Sequence, residues 1–239
     1  MLDMHSHILP GVDDGAKTTE DSLKLLEQMC SQNIDVAVAT VHFYPDLTVL
    51  QEFLEERQRA KKQLDVLTGK DFPVKILLGA EVFYFGGIGK FTGIKKLTIE
   101  NSNYLLLELL GLKKIDDKVI KDIVSIKEDL GLIPIIAHVE RYCKYRGYKK
   151  LISAIAEKKA LCQINATFDK SRAEIRAVKK LLKAGLIDFV ASDCHDPLHR
   201  PVNIDTAFAA LREISPCETD KIIKKTEKLK KELMSVYEK

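Results

Sequence analysis

The sequence contains no tryptophan, and its five cysteines are an odd number without the Cys-x-x-Cys spacing of a structural metal site. A disulfide framework is therefore not expected, and buried free thiols are the simplest interpretation. No apolar run approaches the roughly 18 residues needed to cross a bilayer. The first residues also lack the charged-then-apolar pattern of a secretory signal. These absences favour a cytoplasmic protein without stable membrane insertion.

Neither sign of charge dominates the chain. Its 38 Lys and Arg residues against 35 Asp and Glu residues give a formal net charge of +3, whereas nucleic-acid binders usually carry a clustered basic excess. Residues 141–150 do interleave basic residues with tyrosines. That segment is interpreted either as a solvated loop or as a surface that attracts an acidic phosphopeptide. We expect no nucleic-acid partner.

Length and patterning predict one α/β domain over residues 1–239. The chain is 46% apolar, and no low-complexity segment or polar linker divides it. Short β-branched runs alternate with segments of helical spacing, which is typical of a parallel sheet covered by helices, either open or closed into a barrel of seven or eight units. The predicted strands are 1–4, 34–40, 74–80, 104–107, 133–137, 161–165 and 189–192, and the predicted helices are 22–32, 47–67, 116–130, 148–158, 172–184, 204–214 and 219–237.

Histidine and acidic side chains follow the predicted strands. Five of the six histidines, and several carboxylates, lie at or just beyond a strand's carboxyl end. In a parallel barrel these ends share the face on which active sites are built. Imidazoles and carboxylates without thiolates suit divalent zinc, manganese or iron, so we predict a metal site there. The candidates are His5, His7, His42, Glu81, Glu108, His138, Asp193 and His195, with Asp13 and Asp14 in the first loop.

Two arginines extend this set of residues. Arg141 follows His138 by three residues, and Arg200 follows His195 by five. Both can therefore reach the same mouth and bind an anion through paired hydrogen bonds, although a plain surface position is the alternative. Metal ions beside arginines point to hydrolysis of a phosphate ester. In that reaction a metal-bound hydroxide attacks phosphorus and cationic groups balance the charge of the transition state.

Four stretches of the chain resemble the PHP (polymerase and histidinol phosphatase) superfamily. They read MLDMHSHILPGVDDG at 1–15, GAE at 79–81, IAHVERY at 136–142 and ASDCH at 191–195. Within that superfamily the chain is most similar to the bacterial manganese-dependent protein tyrosine phosphatases of capsule and exopolysaccharide operons. The resemblance covers nearly the whole chain. It implies an α/β fold, a distorted TIM-like barrel of seven βα units with its metal site at the carboxyl ends of the strands.

The resemblance also implies a function for the candidate residues. It implies three divalent ions, manganese first, with iron, zinc or cobalt as alternatives, and Arg141 and Arg200 as phosphate-binding residues. The implied substrate is the phosphotyrosine-containing tail of a bacterial tyrosine kinase that controls polysaccharide length. The implied ligand groups are His5, His7, Glu81 and Asp193 for one ion, Glu81, Glu108 and His138 for the second, and Asp14, His42 and His195 for the third.

Alternative functions stay open at this point. A small-molecule phosphomonoesterase, such as a histidinol phosphatase, would use the same ions and arginines, and only the loops after His42 and His195 would differ. Both loops depart from the family pattern, which leaves the substrate undecided. A metal-dependent amidohydrolase would share the first His-x-His but leave Asp14, Glu81 and Glu108 without a role. A catalytically silent scaffold would be expected to have lost ligands.

Cys194 and Arg200 have the Cys-x5-Arg spacing of thiol-based tyrosine phosphatases. In such a loop, successive backbone N–H groups cradle the phosphate. Here the interval contains Pro197, which has no N–H, and Asp196, which repels an anion. We therefore interpret the spacing as a chance match and expect Cys194 to pack away from the metals.

Overall fold

The computed structural model describes residues 1–238, and Lys239, the last residue of the expected domain, lies outside them. Parallel strands alternate with helices along most of the chain, as the pattern predicts. The strands are β1 (Leu2–Ser6), β2 (Val36–Ala39), β3 (His42–Phe43), β4 (Lys75–Leu78), β5 (Glu81–Phe83), β6 (Tyr104–Glu108), β7 (Ile133–Ile136), β8 (Leu161–Asn165) and β9 (Phe189–Ala191). The helices are α1 (Thr19–Ser31), α2 (Leu50–Thr68), α3 (Asp117–Glu128), α4 (Tyr148–Ala156), α5 (Arg172–Lys183), α6 (Ile204–Ile214) and α7 (Pro216–Tyr237).

The strands curl into a distorted parallel barrel. One sheet has the order β1-β2-β4, and the other has the order β3-β5-β6-β7-β8-β9. Only two residues separate β3 from β2 and β5 from β4, so each pair occupies one position around the barrel. A parallel bridge between Ser6 and Cys194 joins β1 to β9. Seven strand positions result, which confirms the expected distorted barrel.

The split of the sheet between β4 and β5 was not predicted. The sequence pattern suggested one continuous strand over 74–80, but side chains bind its edge where the neighbouring strand would. The N–H of Leu78 donates to Glu100 Oε2 at 2.7 Å, and the carbonyl of Gly79 accepts from Arg57 Nη1 at 2.6 Å. Because these groups are already paired, the ladder to β6 begins only at Glu81, which pairs with Leu106.

α7 covers the end of the barrel opposite the candidate site. Leu229 and Leu233 of this helix pack in an apolar cluster with side chains from the strands. Lys225 forms a 2.7 Å ion pair with Asp188, which directly precedes β9. The helix begins at Pro216, three residues before the predicted start at 219, and the Ser215 side chain makes no capping hydrogen bond. The carboxyl ends of the strands therefore remain open for chemistry.

All five cysteines are free, as expected. The expectation that they are buried is correct only for Cys162 and Cys194, because Cys30 and Cys143 are half-buried and Cys217 is exposed. In the part of the chain that the structure describes, no helix has the length and hydropathy of a membrane span.

Candidate metal centre

The nine side chains expected at the mouth of the barrel lie together there. Glu81 is central, since its two carboxylate oxygens contact four histidines from three strand positions. Three overlapping groups have ligand atoms within 4.8 Å of one another. These groups are His5, His7, Glu81 and Asp193; His42, Glu81 and Glu108; and His7, Asp14, His42 and His195.

The first group surrounds a space of the size of a cation. His5 Nε2 and His7 Nε2 are 3.2 Å apart. Glu81 Oε2 lies 3.2 Å and 3.3 Å from these nitrogens, and Asp193 Oδ1 lies 3.5 Å and 3.4 Å from them. Two imidazole nitrogens and two carboxylate oxygens therefore face one another at similar distances. This donor set is suitable for a divalent transition metal.

Two further histidines approach the carboxylates from the other side. His138 Nε2 is 2.9 Å from Glu81 Oε1 and 3.4 Å from Glu108 Oε1. His42 Nδ1 is 3.2 Å from Glu81 Oε2 and 3.6 Å from Glu108 Oε2. The pair Glu81 and Glu108 thus faces His42 as well as His138, whereas the resemblance assigns only His138 to it.

Asp14 lies at the outer edge of the cluster. Its Oδ1 atom is 3.4 Å from His42 Nε2 and 3.3 Å from His195 Nε2. The contact with His195 lowers the pKa of Asp14 to about 2. Asp14 is therefore ionised at neutral pH and adds a negative charge at the rim, although most of its side chain is exposed.

Three buried polar atoms of the cluster have no hydrogen-bond partner: His42 Nδ1, Glu81 Oε2 and His195 Nε2. Buried polar atoms are almost always hydrogen-bonded, so three orphans within one cluster require an explanation. Each is a lone-pair donor of the kind that binds divalent cations. The residues present therefore fit metal ions.

The charge state of the buried carboxylates agrees with cation binding. Burial alone would raise the pKa of Glu81 and Asp193. The charge of His5 opposes burial at both residues, and the pKa of each carboxyl falls well below its ordinary value. Both are therefore ionised at neutral pH and carry negative charge into the centre of the cluster.

The histidines facing them hold protons that a cation would replace. Burial lowers the pKa of His138, but contacts with Glu108 and Glu81 raise it to about 9. Burial likewise opposes the rise at His7, where the charge of Asp13 raises the pKa well above the ordinary value. Metal ions need neutral imidazoles, so their binding releases these protons.

Asp13 positions this cluster from outside, a role that the sequence pattern did not reveal. Its Oδ2 atom lies 2.6 Å from His7 Nδ1 and accepts the N–H of His42 at 2.9 Å. Its Oδ1 atom accepts the N–H of Gly15 at 2.8 Å. A Cβ atom at Gly15 would lie 2.2 Å from the carbonyl oxygen of His7, so only glycine lets the loop pack this closely.

β8 contributes supporting amides instead of charged ligands. Gln163 Oε1 accepts the N–H of His138 at 2.9 Å and lies 3.2 Å from His5 Nδ1. Gln163 Nε2 donates to Asn165 Oδ1, and Asn165 Nδ2 donates to Asp193 Oδ2. This chain orients His5 and Asp193 as outer hydrogen bonds orient metal ligands. Neither Gln163 nor Asn165 is among the site residues expected from the sequence.

Two of the candidate ligands have a strained backbone. His138 has φ 35° and Asp193 has φ 51°, both in the left-handed region that disfavours residues with a side chain. Tyr142 helps to hold His138, since its hydroxyl lies 3.1 Å from His138 Nδ1 and accepts the N–H of Leu109 at 2.9 Å. The surrounding hydrogen bonds therefore maintain a backbone shape that aims both side chains at the cluster.

The two arginines lie beside the cluster and bind the same carboxylate oxygen. Arg141 Nη2 donates to Asp193 Oδ2 at 2.9 Å, and Arg200 Nη2 donates to it at 2.8 Å. Their side chains keep 22% and 30% exposure, which leaves them accessible from the mouth. Both line a cavity of about 230 Å³ together with the metal-ligand candidates. Neither is an unpaired surface charge.

The Cys-x5-Arg loop is not a phosphate cradle. Cys194 is fully buried, and burial raises the pKa of its thiol to about 12. The N–H groups of Leu198 and His199 donate to Asp196 Oδ1 at 2.9 Å and 2.7 Å, so they are unavailable to an anion. The interpretation as a chance match agrees with this geometry.

The tyrosines of residues 141–150 are not free for stacking on bases. Tyr142 is fully buried, while Tyr145 and Tyr148 are half-buried and pack against the core. Lys144 and Arg146 remain exposed. The segment therefore offers positive charge without the aromatic platform that single-stranded nucleic acids require.

Comparison with known proteins identifies relatives with this architecture. The family model described as "Capsular polysaccharide synthesis, CpsB/CapC" matches residues 1–227. Tyrosine-protein phosphatase YwqE of Bacillus subtilis is 30% identical over 223 residues, covering 89% of this chain and 84% of YwqE. Tyrosine-protein phosphatase CpsB of Streptococcus agalactiae is 29% identical over 223 residues, covering 87% of this chain and 88% of CpsB.

A solved structure agrees with these matches. It comes from the crystal structures of YwqE from Bacillus subtilis and CpsB from Streptococcus pneumoniae, which are described as unique metal-dependent tyrosine phosphatases. It superimposes with a TM-score of 0.73 and 27% sequence identity, covering 89% of this chain and 87% of that one. The resemblance found in the four sequence stretches is confirmed, and the chain belongs to the CpsB/CapC family of capsular polysaccharide synthesis.

Proposed function

We propose that this protein is a metal-dependent protein tyrosine phosphatase, a phosphoric monoester hydrolase that acts on phosphotyrosine. The observation that carries the proposal is the position of Arg141 and Arg200 on Asp193, a carboxylate of the metal-ligand cluster. Cationic groups that bind phosphate are thus adjacent to groups that bind metal. The family relationship supports the same activity, since the YwqE and CpsB relatives are named tyrosine-protein phosphatases.

The nine residues at the mouth would hold the ions. Divalent cations, when bound, polarise phosphoryl oxygens and lower the pKa of water, so that a phosphate ester can be hydrolysed near neutral pH. We propose three ions, manganese first, with iron, zinc or cobalt as alternatives. The proposed ligands are His5, His7, Asp14, His42, Glu81, Glu108, His138, Asp193 and His195, and Glu81 belongs to two of the candidate ligand groups.

The arginines would bind and orient the phosphoryl group. Their planar guanidinium groups hold two oxygens at once and balance the negative charge that develops in the transition state. The bond between phosphorus and the tyrosine oxygen breaks, the oxygen of water takes its place on phosphorus, and tyrosine leaves with a proton. Asp193 holds both guanidinium groups before substrate arrives, so they are already aimed at the mouth.

We further propose that the natural substrate is the phosphotyrosine-containing tail of a bacterial tyrosine kinase involved in capsule or exopolysaccharide synthesis. The match to a capsular polysaccharide family supports this assignment. A reducing location such as the cytoplasm agrees with five unpaired thiols. We also propose that residues 1–239 form one metallophosphatase domain.

A phosphotyrosine peptide and histidinol phosphate, each offered to the manganese-loaded protein, test the substrate class. The proposal predicts phosphate release from the peptide with a kcat/KM at least ten-fold above that for histidinol phosphate. A reversed preference would assign the protein to the small-molecule phosphatases instead. Glu81→Gln serves as the matched inactive control, because it keeps the shape of the side chain and removes its charge.

A further inference from the structure

An apolar tier lies directly outside the metal ligands on one side of the mouth. On three neighbouring strand positions, the second residue after the candidate ligand is a large apolar or aromatic one. Side chains two residues apart on a strand point to the same face, as Glu81 and Phe83 do on β5, while Tyr44 and Leu110 lie just beyond the ends of β3 and β6. All three apolar residues line the same 230 Å³ cavity as the ligands. The pairs are His42 with Tyr44, Glu81 with Phe83, and Glu108 with Leu110.

The register of the strands brings these side chains together. His42 is paired with Glu81 across β3 and β5, which sets Tyr44 level with Phe83. The two rings are 5.5 Å apart between centroids and are inclined by 50°. Phe83 is in turn paired with Glu108 across β5 and β6, which sets Leu110 one step further out. All three side chains are only half-buried, so their free surface faces the opening.

The opposite side of the cavity is lined by charged residues instead of apolar ones. There Arg141 and Arg200 meet at Asp193, and no apolar tier follows the ligands. The second residue after His138 is the buried Glu140, and the second residue after Asp193 is His195. The cavity therefore has one apolar wall and one cationic wall.

The size of the cavity limits what it can hold. At about 230 Å³ it is smaller than the roughly 300–1,000 Å³ of typical small-molecule sites. A single phosphorylated side chain suits this space better than a folded segment or a large metabolite. A flat ring would contact Tyr44 and Phe83 through its face or edge while its phosphate lies among the arginines and ligands.

We propose that Tyr44, Phe83 and Leu110 form the subsite for the aromatic ring of the substrate and make this site selective for aryl phosphates over alkyl phosphates. The inference rests on the proposed phosphatase function and specifies its substrate class. An aryl ester presents a ring to the apolar wall. A serine or glycerol phosphate ester presents no such ring and leaves the wall in contact with water.

Binding of two non-hydrolysable anions tests this inference without the influence of the leaving group. The dissociation constants of phenylphosphonate and methylphosphonate are measured by calorimetry with the manganese-loaded protein. We expect the wild type to prefer phenylphosphonate, and Phe83→Ala or Tyr44→Ala to reduce that preference about ten-fold. Tyr44→Phe retains the ring and should retain the preference. Phe83→Leu is a more conservative variant for the case that Phe83→Ala does not fold. We expect it to lose part of the preference for phenylphosphonate.

Phe85→Ala is the matched control. This aromatic residue follows Phe83 by two positions, but its ring packs against Phe91, 5.6 Å away, outside the cavity. The preference should be unchanged in this variant. An unchanged preference in both Phe83 variants, or an equal loss in Phe85→Ala, would overturn the inference.

The outcomes also separate this inference from the function on which it rests. Hydrolysis of a phosphotyrosine peptide by a wild type that binds both phosphonates equally would refute the apolar subsite alone. A preference for phenylphosphonate that depends on Phe83, in a protein that releases no phosphate from any phosphotyrosine peptide, would support the subsite and refute the phosphatase assignment.

Discussion

Arg141 donates a hydrogen bond of 2.9 Å to Oδ2 of Asp193, while Oδ1 of the same carboxylate faces His5 and His7. One side chain thus joins the candidate phosphate-binding group to the candidate metal site. Arg200 binds the same Oδ2 atom at 2.8 Å.

Removal of these arginines should reduce catalysis strongly. Because each would bind the phosphoryl group in the transition state, Arg141→Ala and Arg200→Ala should each lower kcat/KM for a phosphotyrosine peptide by about 10²-fold. The double variant should lose less than the product of the two, since both residues share Asp193. Steady-state kinetics with Arg59→Ala as an exposed control checks this. Single variants with wild-type kinetics would contradict the phosphate-binding role.

Asp13 should control metal affinity without being a ligand. It holds His7 Nδ1 and the backbone N–H of His42, and loss of such outer partners commonly weakens metal binding 10–100-fold. We expect Asp13→Asn to raise the dissociation constant for manganese by that factor. The phosphatase activity of this variant should recover at high manganese concentration. Calorimetric titration measures the constant, with the exposed Asp46→Asn as the control. An unchanged constant would show that Asp13 has no such positioning role.

Cys194 should be dispensable for the reaction. Its thiol is buried, with a pKa of about 12, so it is not ionised at neutral pH and cannot act as a nucleophile. Cys194→Ser should therefore keep phosphatase activity within a few-fold of the wild type, at the same metal content. Loss of all activity in a folded, fully metallated variant would instead favour a thiol mechanism.

Asp35 should make the stability of the fold depend on pH. Partial burial would raise its pKa, but hydrogen bonds from Lys230 and the terminal amine hold the pKa below its ordinary value. A carboxyl whose folded pKa is depressed stabilises the fold above its unfolded pKa of about 3.9, and this stabilisation is lost as the pH falls below it. The pair is partly exposed, so the gain at pH 7 is about 0.2–1 kcal/mol.

Urea unfolding of the wild type and Asp35→Asn at pH 7 and pH 3 measures this effect. The variant should be less stable at pH 7, and the difference should be smaller at pH 3. Asp46→Asn, which removes an exposed carboxyl, should behave as the wild type at both values. A difference that is larger at pH 3 than at pH 7 would contradict the assigned sign.

The sequence predicts those site residues whose position follows from the strand to which they belong. His5, His7, His138 and Asp193 stand at strand ends, and parallel strands bring their ends to one face. The supporting contacts were missed because they join distant residues: Gln163 contacts His5 across 158 positions, and Asp13 contacts His42 across 29. No local pattern encodes such a pairing.

The apolar tier was missed for another reason. Tyr44, Phe83 and Leu110 resemble ordinary core residues when each is taken alone, and only the observed register of β3, β5 and β6 shows that they share one wall. The split between β4 and β5 was missed in the same way. It depends on Arg57 and Glu100, which bind the edge of β4 from outside the strand.

The central claim is that this cluster hydrolyses phosphotyrosine through bound metal. The most direct measurement is phosphate release from a phosphotyrosine peptide by chelator-stripped protein, with and without added manganese, beside Asp193→Asn as a variant of the cluster. Metal-dependent hydrolysis at this cluster predicts no release from stripped protein, recovery with manganese, and little recovery in the variant. Full activity in the presence of excess chelator, or equal activity in Asp193→Asn, would contradict it.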